Sequence, residues 1–279
     1  MRIAVTHSTI YRYDSPVFLE PHTIRLRPRN DAAQRLISFA LDITPAPVGQ
    51  AECLDQDGNV TVEAWFDQPT AELTVNSQFT VETLRDNPFA FLVRRGMGEL
   101  PLAYSEPLAE AVKPYCQAGR PNGAVHDFAA ALAEASGGRT LDFLTALNRR
   151  IAGEFAYVTR RHGPPQPAEI TLTECRGSCR DFALLFAAAC RAVGLAARFV
   201  SGYDLSAEHR DPSDMHAWAE VYLEGGGWRG YDPSSGLAVA ASHVAVAAAA
   251  EPVLAAPITG TYRGSAKASM EFRIAAQAG

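Results

Sequence analysis

The sequence has no excess of positive charge and no long hydrophobic run. Its 25 Lys and Arg residues against 31 Asp and Glu residues give a formal net charge of −6. Because nucleic-acid binding needs clustered cations that neutralise phosphates, no nucleic-acid partner is expected. The start, MRIAVTHSTIYRY, has no apolar segment of signal-peptide length, and polar residues and a proline interrupt the alanine-rich residues 237–256. The sequence therefore predicts a cytoplasmic protein without a membrane partner.

Cysteine is also scarce, and its number is odd. The five positions are Cys53, Cys116, Cys175, Cys179 and Cys190. An odd and scattered set argues against a disulfide framework. Cys175 and Cys179 lie four residues apart, but no second Cys/His pair follows at a zinc-ligand spacing. We therefore expect reduced thiols, no metal site and no cofactor.

Residues 1–88 carry the pattern of short β-strands. Runs rich in Val, Ile, Thr, Tyr and Phe alternate in period two and are separated by turn residues: IAVTHSTIYRY, TIRLRPR, ISFALDITP, NVTVEAWF and AELTVNSQFTVET. Asp57-Gly58-Asn59 between two runs is a hairpin signal. The pattern predicts an antiparallel β-sandwich as the first domain.

Residues 89–245 mix helix and strand patterns, which makes the chain α+β. Five prolines between Asp86 and Pro121 indicate a linker and domain entry. Helices are predicted over 124–135, after a cap at Thr140, and over 178–193. The strands AARFVSGY, HAWAEVYL and WRGYDP follow. Residues 246–279 again look like strands, which can rejoin either sheet.

The stretch GSCRDFA places Cys179 at the start of the third helix. The unpaired N–H groups of a first helical turn favour a thiolate and can also hold an oxyanion. Cys179 is therefore a candidate nucleophile, although a free cysteine is often only a small buried hydrophobe. Cys190 fits the interpretation as a small buried hydrophobe, and Cys175 lies before the helix and lacks its first-turn position. Asp181 is interpreted as a first-turn carboxylate that the helix dipole favours.

A cysteine nucleophile needs a base, and His216 begins the strand pattern HAWAEVYL. Period two places Trp218 on the face of His216, and Ala217 and Ala219 on the opposite, buried face. A face of imidazole and aromatic groups suits the wall of a cleft, while a structural role for His216 stays open. Three further histidines are rival bases: His162, His209 and His243.

Asp232 is the candidate for the third group, which fixes the tautomer of the base. The turn Gly225-Gly226-Gly227 reverses the chain, so the strand ending in Asp232 is expected to run antiparallel beside His216. A simple Asp-Pro turn that ends a strand is the alternative interpretation.

Together, the stretches RGSCRDFALLFAAACRAVGLAARFVSGY, MHAWAEVYL and GWRGYDPSSG resemble the core of the transglutaminase-like superfamily. The resemblance lies in the order Cys, His, Asp, in the helix after the cysteine and in the Trp before Asp-Pro. HSTIYRYDSPV, HTIRLRPR and DQDGNV resemble the N-terminal domain of bacterial members. The resemblance covers nearly all of residues 1–265.

This resemblance implies a papain-like core, with helices packed on an antiparallel sheet, in which Cys179 is the nucleophile, His216 the general base and acid, and Asp232 the orienting carboxylate. The implied function is a cysteine-dependent amidase or protease that attacks a peptide or protein amide and passes through a thioester. Acyl transfer to an amine is the second hypothesis, and a non-enzymatic binding module that keeps the fold is the third.

One stretch departs from the family pattern. VAVAAAAEPVLAAP stands where relatives tend to have more polar and charged residues, so the wall that it forms is expected to differ. Tyr157 and Gln166 are polar residues upstream of the cysteine, where a second oxyanion donor is expected. The substrate and the oligomeric state are not determined by these patterns.

Overall fold

The alternating apolar residues near the N-terminus form long antiparallel strands. The computed structural model describes residues 1–92, 98–117, 119, 123–206 and 214–279. The first six strands are β1 (Arg2–Leu19), β2 (His22–Ile24), β3 (Gln34–Thr44), β4 (Gly49–Leu54), β5 (Val60–Trp65) and β6 (Thr70–Thr83). The predicted hairpin is confirmed, since β4 and β5 pair across it with Leu54 opposite Val60. Gly58 has a positive φ of 76° in this turn, a conformation that favours glycine.

The middle of the chain is helical. Its elements are α1 (Leu108–Gln117), α2 (Ala124–Ala135), α3 (Thr140–Glu154), β7 (Ala156–Tyr157), α4 (Ala168–Glu174), β8 (Arg176–Gly177) and α5 (Cys179–Ala192). The predictions over 124–135 and 178–193 are confirmed. Among the described residues, no helix is long and apolar enough to cross a membrane.

The sequence patterns missed α1 and misplaced one cap. Helix α1 lies in the segment interpreted as a linker and contains Pro114, which removes one helical hydrogen bond. Burial of Val112 and the hydrogen bond from Tyr115 Oη to Asp57, at 2.6 Å, hold it in place. Thr140 is the first residue of α3 and not its cap, because Arg139 has the extended backbone of the cap position and the helix begins after it.

A second antiparallel sheet carries the helices. Its strands are β9 (Ala197–Asp204), β10 (His216–Leu223), β11 (Gly227–Asp232), β12 (Leu237–Ala238) and β13 (His243–Ala249), in the order β12-β11-β10-β9-β13. Helix α5 packs on this sheet, where Phe182 and Phe186 share a buried apolar cluster with Ala219 and Val221. The predicted α+β class is confirmed.

The chain end returns to the N-terminal strands. A 3₁₀ turn (Pro252–Ala255) leads to β14 (Ile258–Thr259), β15 (Tyr262–Arg263) and β16 (Ala268–Ala278). Strand β14 pairs with β2, while β15 and β16 pair with β1. The two sheets of the sandwich therefore contain strands from both ends of the chain. The division into domains at residues 88 and 245 stays a prediction.

The alanine-rich strand β13 joins the second sheet to the sandwich. One edge of β13 pairs with β9. Its other edge is satisfied by side-chain amides: Gln34 exchanges two hydrogen bonds with the backbone of Ala245, and Asn59 exchanges two with Ala248, at 2.8–2.9 Å. Because a buried strand edge needs such partners, these two amides fix the sandwich against the sheet.

Candidate active site at the start of helix α5

Cys179 is the first residue of α5, and the turn before it is tightly packed. The backbone N–H and the hydroxyl of Ser178 both donate to Asp181 Oδ2, at 2.8 and 2.7 Å. Residue 177 must be glycine, because a Cβ there would lie 2.8 Å from the Cβ of Asp181 and 3.1 Å from the ring of Phe182. Cys179 is thus fixed at the helix end, where first-turn N–H groups lack helical acceptors.

Asp181 belongs to this packing rather than to the cleft. It is fully buried, and its Oδ1 accepts from Arg160 Nη2 at 2.5 Å and from the backbone N–H of Gln166 at 2.8 Å. These contacts fasten the loop before α4 to the start of α5. The side-chain amide of Gln166 donates to Thr171 Oγ1 and to the carbonyl of Arg176, so it is occupied away from Cys179.

His216 and Asp232 meet at the open end of the second sheet. His216 Nε2 lies 3.0 Å from Asp232 Oδ2, and both side chains are buried. The carboxylate also accepts from the backbone N–H of Ser234 and from Ser235 Oγ, each at 3.0 Å. These donors hold Asp232 as an oriented carboxylate.

The turn predicted at residues 225–227 produces this meeting. Strands β10 and β11 pair antiparallel, with Leu223 opposite Gly227 and Ala219 opposite Tyr231. The register therefore brings the end of β11 back to the start of β10. The prediction for the turn and for the antiparallel strand is confirmed.

The sulfur of Cys179 accepts hydrogen bonds from the His216 ring and from the backbone N–H of Ala217. Because Nε2 of His216 faces Asp232, Nδ1 is the atom that faces the sulfur. Burial alone would raise the pKa of the Cys179 thiol. The charge and hydrogen bond of His216, with the N–H of Ala217, outweigh burial, so the pKa of Cys179 lies below its usual value.

The pKa of His216 is shifted for the complementary reason. Burial alone would lower the pKa of His216, but the negative charges of Asp232 and Cys179 and hydrogen bonds to both raise it to about 10. A low thiol pKa beside a high imidazole pKa favours a thiolate and an imidazolium as an ion pair. The sequence prediction of a base at His216 could not include the N–H of Ala217, which only the strand geometry directs at the sulfur.

The pair opens into a cleft of about 680 Å³. Cys179 and His216 line it together with the loop 159–167, the 3₁₀ turn, and strands β1 and β16 of the sandwich. Tyr157, one of the two predicted oxyanion candidates, is 45% exposed and lines this cleft. The cleft is large enough for a peptide segment or a small ligand.

The rival histidines lie elsewhere. His162 is exposed and does not line the cleft, and His209 lies outside the described residues. His243 is buried, with its Nε2 3.6 Å from Asp232 Oδ2 and its Nδ1 3.7 Å from Asp204 Oδ1. It therefore contacts the carboxylate and not the sulfur. The sequence identified His243 only as a rival base, because its neighbours come from three separate strands.

The interpretation of the His216 face as a cleft wall is wrong for Trp218. Trp218 is only 1% exposed and packs against Val200 and Ala248. Val200 of β9 and Ala248 of β13, strands of the same sheet, are the buried neighbours of Trp218, and a two-residue period cannot reveal them. Of the face that His216 shares with Trp218, Glu220 and Tyr222, only His216 lines the cleft.

Among the residues that the structure describes, one group of four side chains has the spacing of a cation site. Asp204, His216, Asp232 and His243 offer donor atoms that all lie within 4.8 Å of one another. A cation that took both His216 Nε2 and Asp232 Oδ2 as ligands would displace the hydrogen bond between these two atoms.

Comparisons with known proteins agree with this architecture. Residues 3–82 match the bacterial transglutaminase-like N-terminal region, and residues 126–233 match the transglutaminase-like superfamily core. The crystal structure of "a Putative Cysteine Protease from Cytophaga hutchinsonii" superposes with a TM-score of 0.73 at 22% identity, over 100% of this chain and 91% of that one. This likeness shows the fold.

Curated relatives extend the similarity along the chain. The uncharacterized protein ML0607 of Mycobacterium leprae is 28% identical over 271 residues, which are 94% of this chain and 94% of the relative. The uncharacterized protein Rv2569c of Mycobacterium tuberculosis is 30% identical over 260 residues, which are 84% of this chain and 79% of the relative. With its N-terminal region and its core both matched, this chain belongs to the transglutaminase-like superfamily.

Proposed function

We propose that this protein is a cysteine-dependent hydrolase of peptide or protein amide bonds. Cys179 is the nucleophile, His216 the general base and acid, and Asp232 the residue that orients His216. The observation that carries this proposal is the hydrogen-bonded series from Cys179 Sγ through His216 to Asp232, with the pKa of the thiol lowered and that of the imidazole raised.

The first half-reaction forms a thioester. The thiolate of Cys179 attacks the carbonyl carbon of the amide, and the carbonyl π electrons move to oxygen. The backbone N–H of Cys179 at the start of α5 stabilises the resulting oxyanion. When the C–N bond breaks, the leaving nitrogen takes the proton from His216 Nδ1 and departs as an amine. Asp232 holds the ring so that Nδ1 faces the reacting atoms.

The second half-reaction uses water. His216, now neutral, accepts a proton from a water molecule while the water oxygen attacks the thioester carbonyl. Collapse of the second oxyanion breaks the C–S bond, releases the acid and restores the thiolate and the imidazolium. One amide and one water thus become one carboxylic acid and one amine.

The name of the Cytophaga hutchinsonii neighbour also supports a protease or amidase. Acyl transfer shares the first half-reaction and differs only in whether an amine or water resolves the thioester. The two outcomes are therefore separated by product analysis rather than by the geometry of Cys179.

Selective alkylation tests the proposal. Iodoacetamide at pH 6 is expected to label Cys179 at least tenfold faster than the exposed Cys53 and Cys175, and His216→Ala is expected to remove this selectivity, as measured by mass spectrometry of peptides. Equal labelling of all exposed cysteines would contradict the proposal.

A second assay separates hydrolysis from transfer. With activated acyl esters and increasing concentrations of a primary amine, we expect the free acid to remain the main product. Amide product that rises with the amine concentration would instead assign acyl transfer.

A further inference from the structure

We infer that the cleft selects peptides with a large apolar side chain at the residue whose carbonyl Cys179 attacks, and with an acidic residue that faces the loop 159–164. In this arrangement the N-terminal sandwich forms the substrate wall opposite the catalytic core. The inference rests on the proposed function, and it assigns a substrate class and a role for the sandwich.

The sandwich contributes apolar side chains to the cleft. Tyr11 of β1, Ile258 of β14, and Met270 and Phe272 of β16 all line it, and each is partly exposed. These residues are far from Cys179 in sequence. When an apolar group of a ligand covers the apolar surface of a cleft, the free energy of the complex is lowered. Methionine side chains are flexible and can adapt to ligands of different shapes.

The core contributes a second apolar wall. Its cleft-lining members are Leu184, Phe199, Met215, Pro252 and Val253. Val253, in the 3₁₀ turn, is 65% exposed. An apolar group placed between the two walls would therefore contact both the sandwich and the core.

The alanine-rich segment provides apolar packing for Cys179. Ala247 and Ala249 of β13 are fully buried in a small cluster against which Cys179 packs. Their side chains carry no charge and fill little volume.

The loop 159–164 gives one end of the cleft a positive charge. Arg160, Arg161 and Arg180 all line the cleft, and Arg180 donates to the carbonyls of Arg160 and Gly163. Asp181 pairs with Arg160, whereas Arg161 is exposed and forms no ion pair with any described residue.

Apart from Cys179 and His216, two more of the described residues that line the cleft are acidic. They are Asp214 and Glu251, and Glu251 is close enough to the buried Arg191 to be attracted by its charge. The arginines, in contrast, are held together by the bonds of Arg180 to the loop. A substrate carboxylate is therefore the complementary group for the loop end.

Peptidyl chloromethyl ketones test this inference without requiring turnover. The sulfur displaces chloride from the reagent and forms a stable thioether, so the labelling rate reports how well each peptide binds beside Cys179. We expect acetyl-Glu-Phe chloromethyl ketone to label Cys179 at least tenfold faster than the Glu-Gly and Glu-Lys reagents. It should also react about threefold faster than the Lys-Phe reagent, and Arg161→Ala should remove this threefold difference.

Matched variants on β16 test the wall. Met270→Asp is expected to lower the labelling rate with the Glu-Phe reagent at least tenfold, whereas Ser269→Asp adds the same charge to the exposed face of the strand and should leave the rate within twofold. Phe272→Ala, which adds no charge, should also lower it. Iodoacetamide labelling of Cys179 should be equal in Phe272→Ala and the unmodified protein, because this change adds no charge to the cleft.

The outcomes separate this inference from the proposed function. If iodoacetamide still labels Cys179 selectively but the Gly reagent is as fast as the Phe reagent, or Met270→Asp behaves as Ser269→Asp does, only the inference fails. If selective iodoacetamide labelling is absent from the unmodified protein, the proposed function fails and the inference fails with it.

Discussion

Two cysteines on helix α5 have opposite chemistry. Cys179, at the first position, has a pKa below its usual value, whereas burial raises the pKa of Cys190 well above it. Cys190 is fully buried in the main apolar cluster. Burial acts to raise the pKa of both thiols, so burial alone does not explain why their pKa values shift in opposite directions.

The difference lies in where the nearby positive charge is directed. His216 hydrogen bonds to the sulfur of Cys179. Arg191 adjoins Cys190 in sequence, but its guanidinium donates to the carbonyls of Ala197 and Ala250, at 2.9 and 2.6 Å. A cation beside a thiol in sequence therefore does not activate it, since the geometry of the hydrogen bond decides.

Removing each thiol in turn tests this comparison most strongly. Cys179→Ala should lower the hydrolysis rate by about 10⁶-fold, the effect of removing the nucleophile from a triad. Cys190→Ala should keep the rate within about threefold, because that sulfur contacts only the core. Initial rates on a chromogenic peptide substrate measure both, and equal losses in the two variants would contradict the distinction.

Asp232→Asn should have the next largest effect. The amide keeps the shape of the side chain but removes the charge that raises the pKa of His216, so kcat should fall by about 10⁴-fold. Ser235→Ala is the matched control, because it removes one hydrogen-bond donor to the Asp232 carboxylate and leaves the charge of that carboxylate. It should lower kcat by about tenfold or less. A nearly unchanged kcat in Asp232→Asn would mean that His216 is held by other groups.

The pH profile of hydrolysis sharpens the comparison further. The pKa of Cys179 is lowered, so its thiolate is present above that pKa and is lost as the pH falls through it. The pKa of His216 is raised to about 10, so the imidazolium is present below that pH and is lost as the pH rises through it. We expect the rate of hydrolysis to be constant over a pH range that includes neutral pH. Outside this range, on the acid and on the alkaline side, the rate should fall tenfold per pH unit. A rate that only begins to rise above pH 8 would indicate an ordinary thiol.

The smallest expected effect concerns stability. Cys190→Ser places a hydroxyl in the apolar cluster and should lower the free energy of unfolding by about 1–3 kcal/mol, with activity retained in the folded protein. Cys175→Ser, at an exposed position, should change it by less than about 0.5 kcal/mol. Urea unfolding followed by circular dichroism checks both values, and an equal effect of the two changes would place Cys190 outside the packed core.

Local patterns were enough to predict several elements of this protein. Period two in the first 88 residues predicted the sandwich strands, and the helix pattern after Ser178 predicted α5 with Cys179 at its start. The triglycine turn predicted that β11 returns beside β10. These predictions succeed because a turn, a strand face and a helix start depend on residues close together in the chain.

Helix α1, the burial of Trp218 and the role of His243 beside Asp232 were not predicted. Each depends on side chains from distant parts of the chain, such as the contact of Tyr115 with Asp57 and the packing of Ala248 against Trp218.

The amino-acid order by itself determined which residues stand at the start of α5 and at the facing ends of β10 and β11, because those positions follow from local backbone preferences. Only the tertiary structure decided that the N–H of Ala217 points at the sulfur, and that β16, from the other end of the chain, lines the same cleft. Hydrogen-bond direction and shared surface depend on how separate elements pack, and no local pattern encodes that packing.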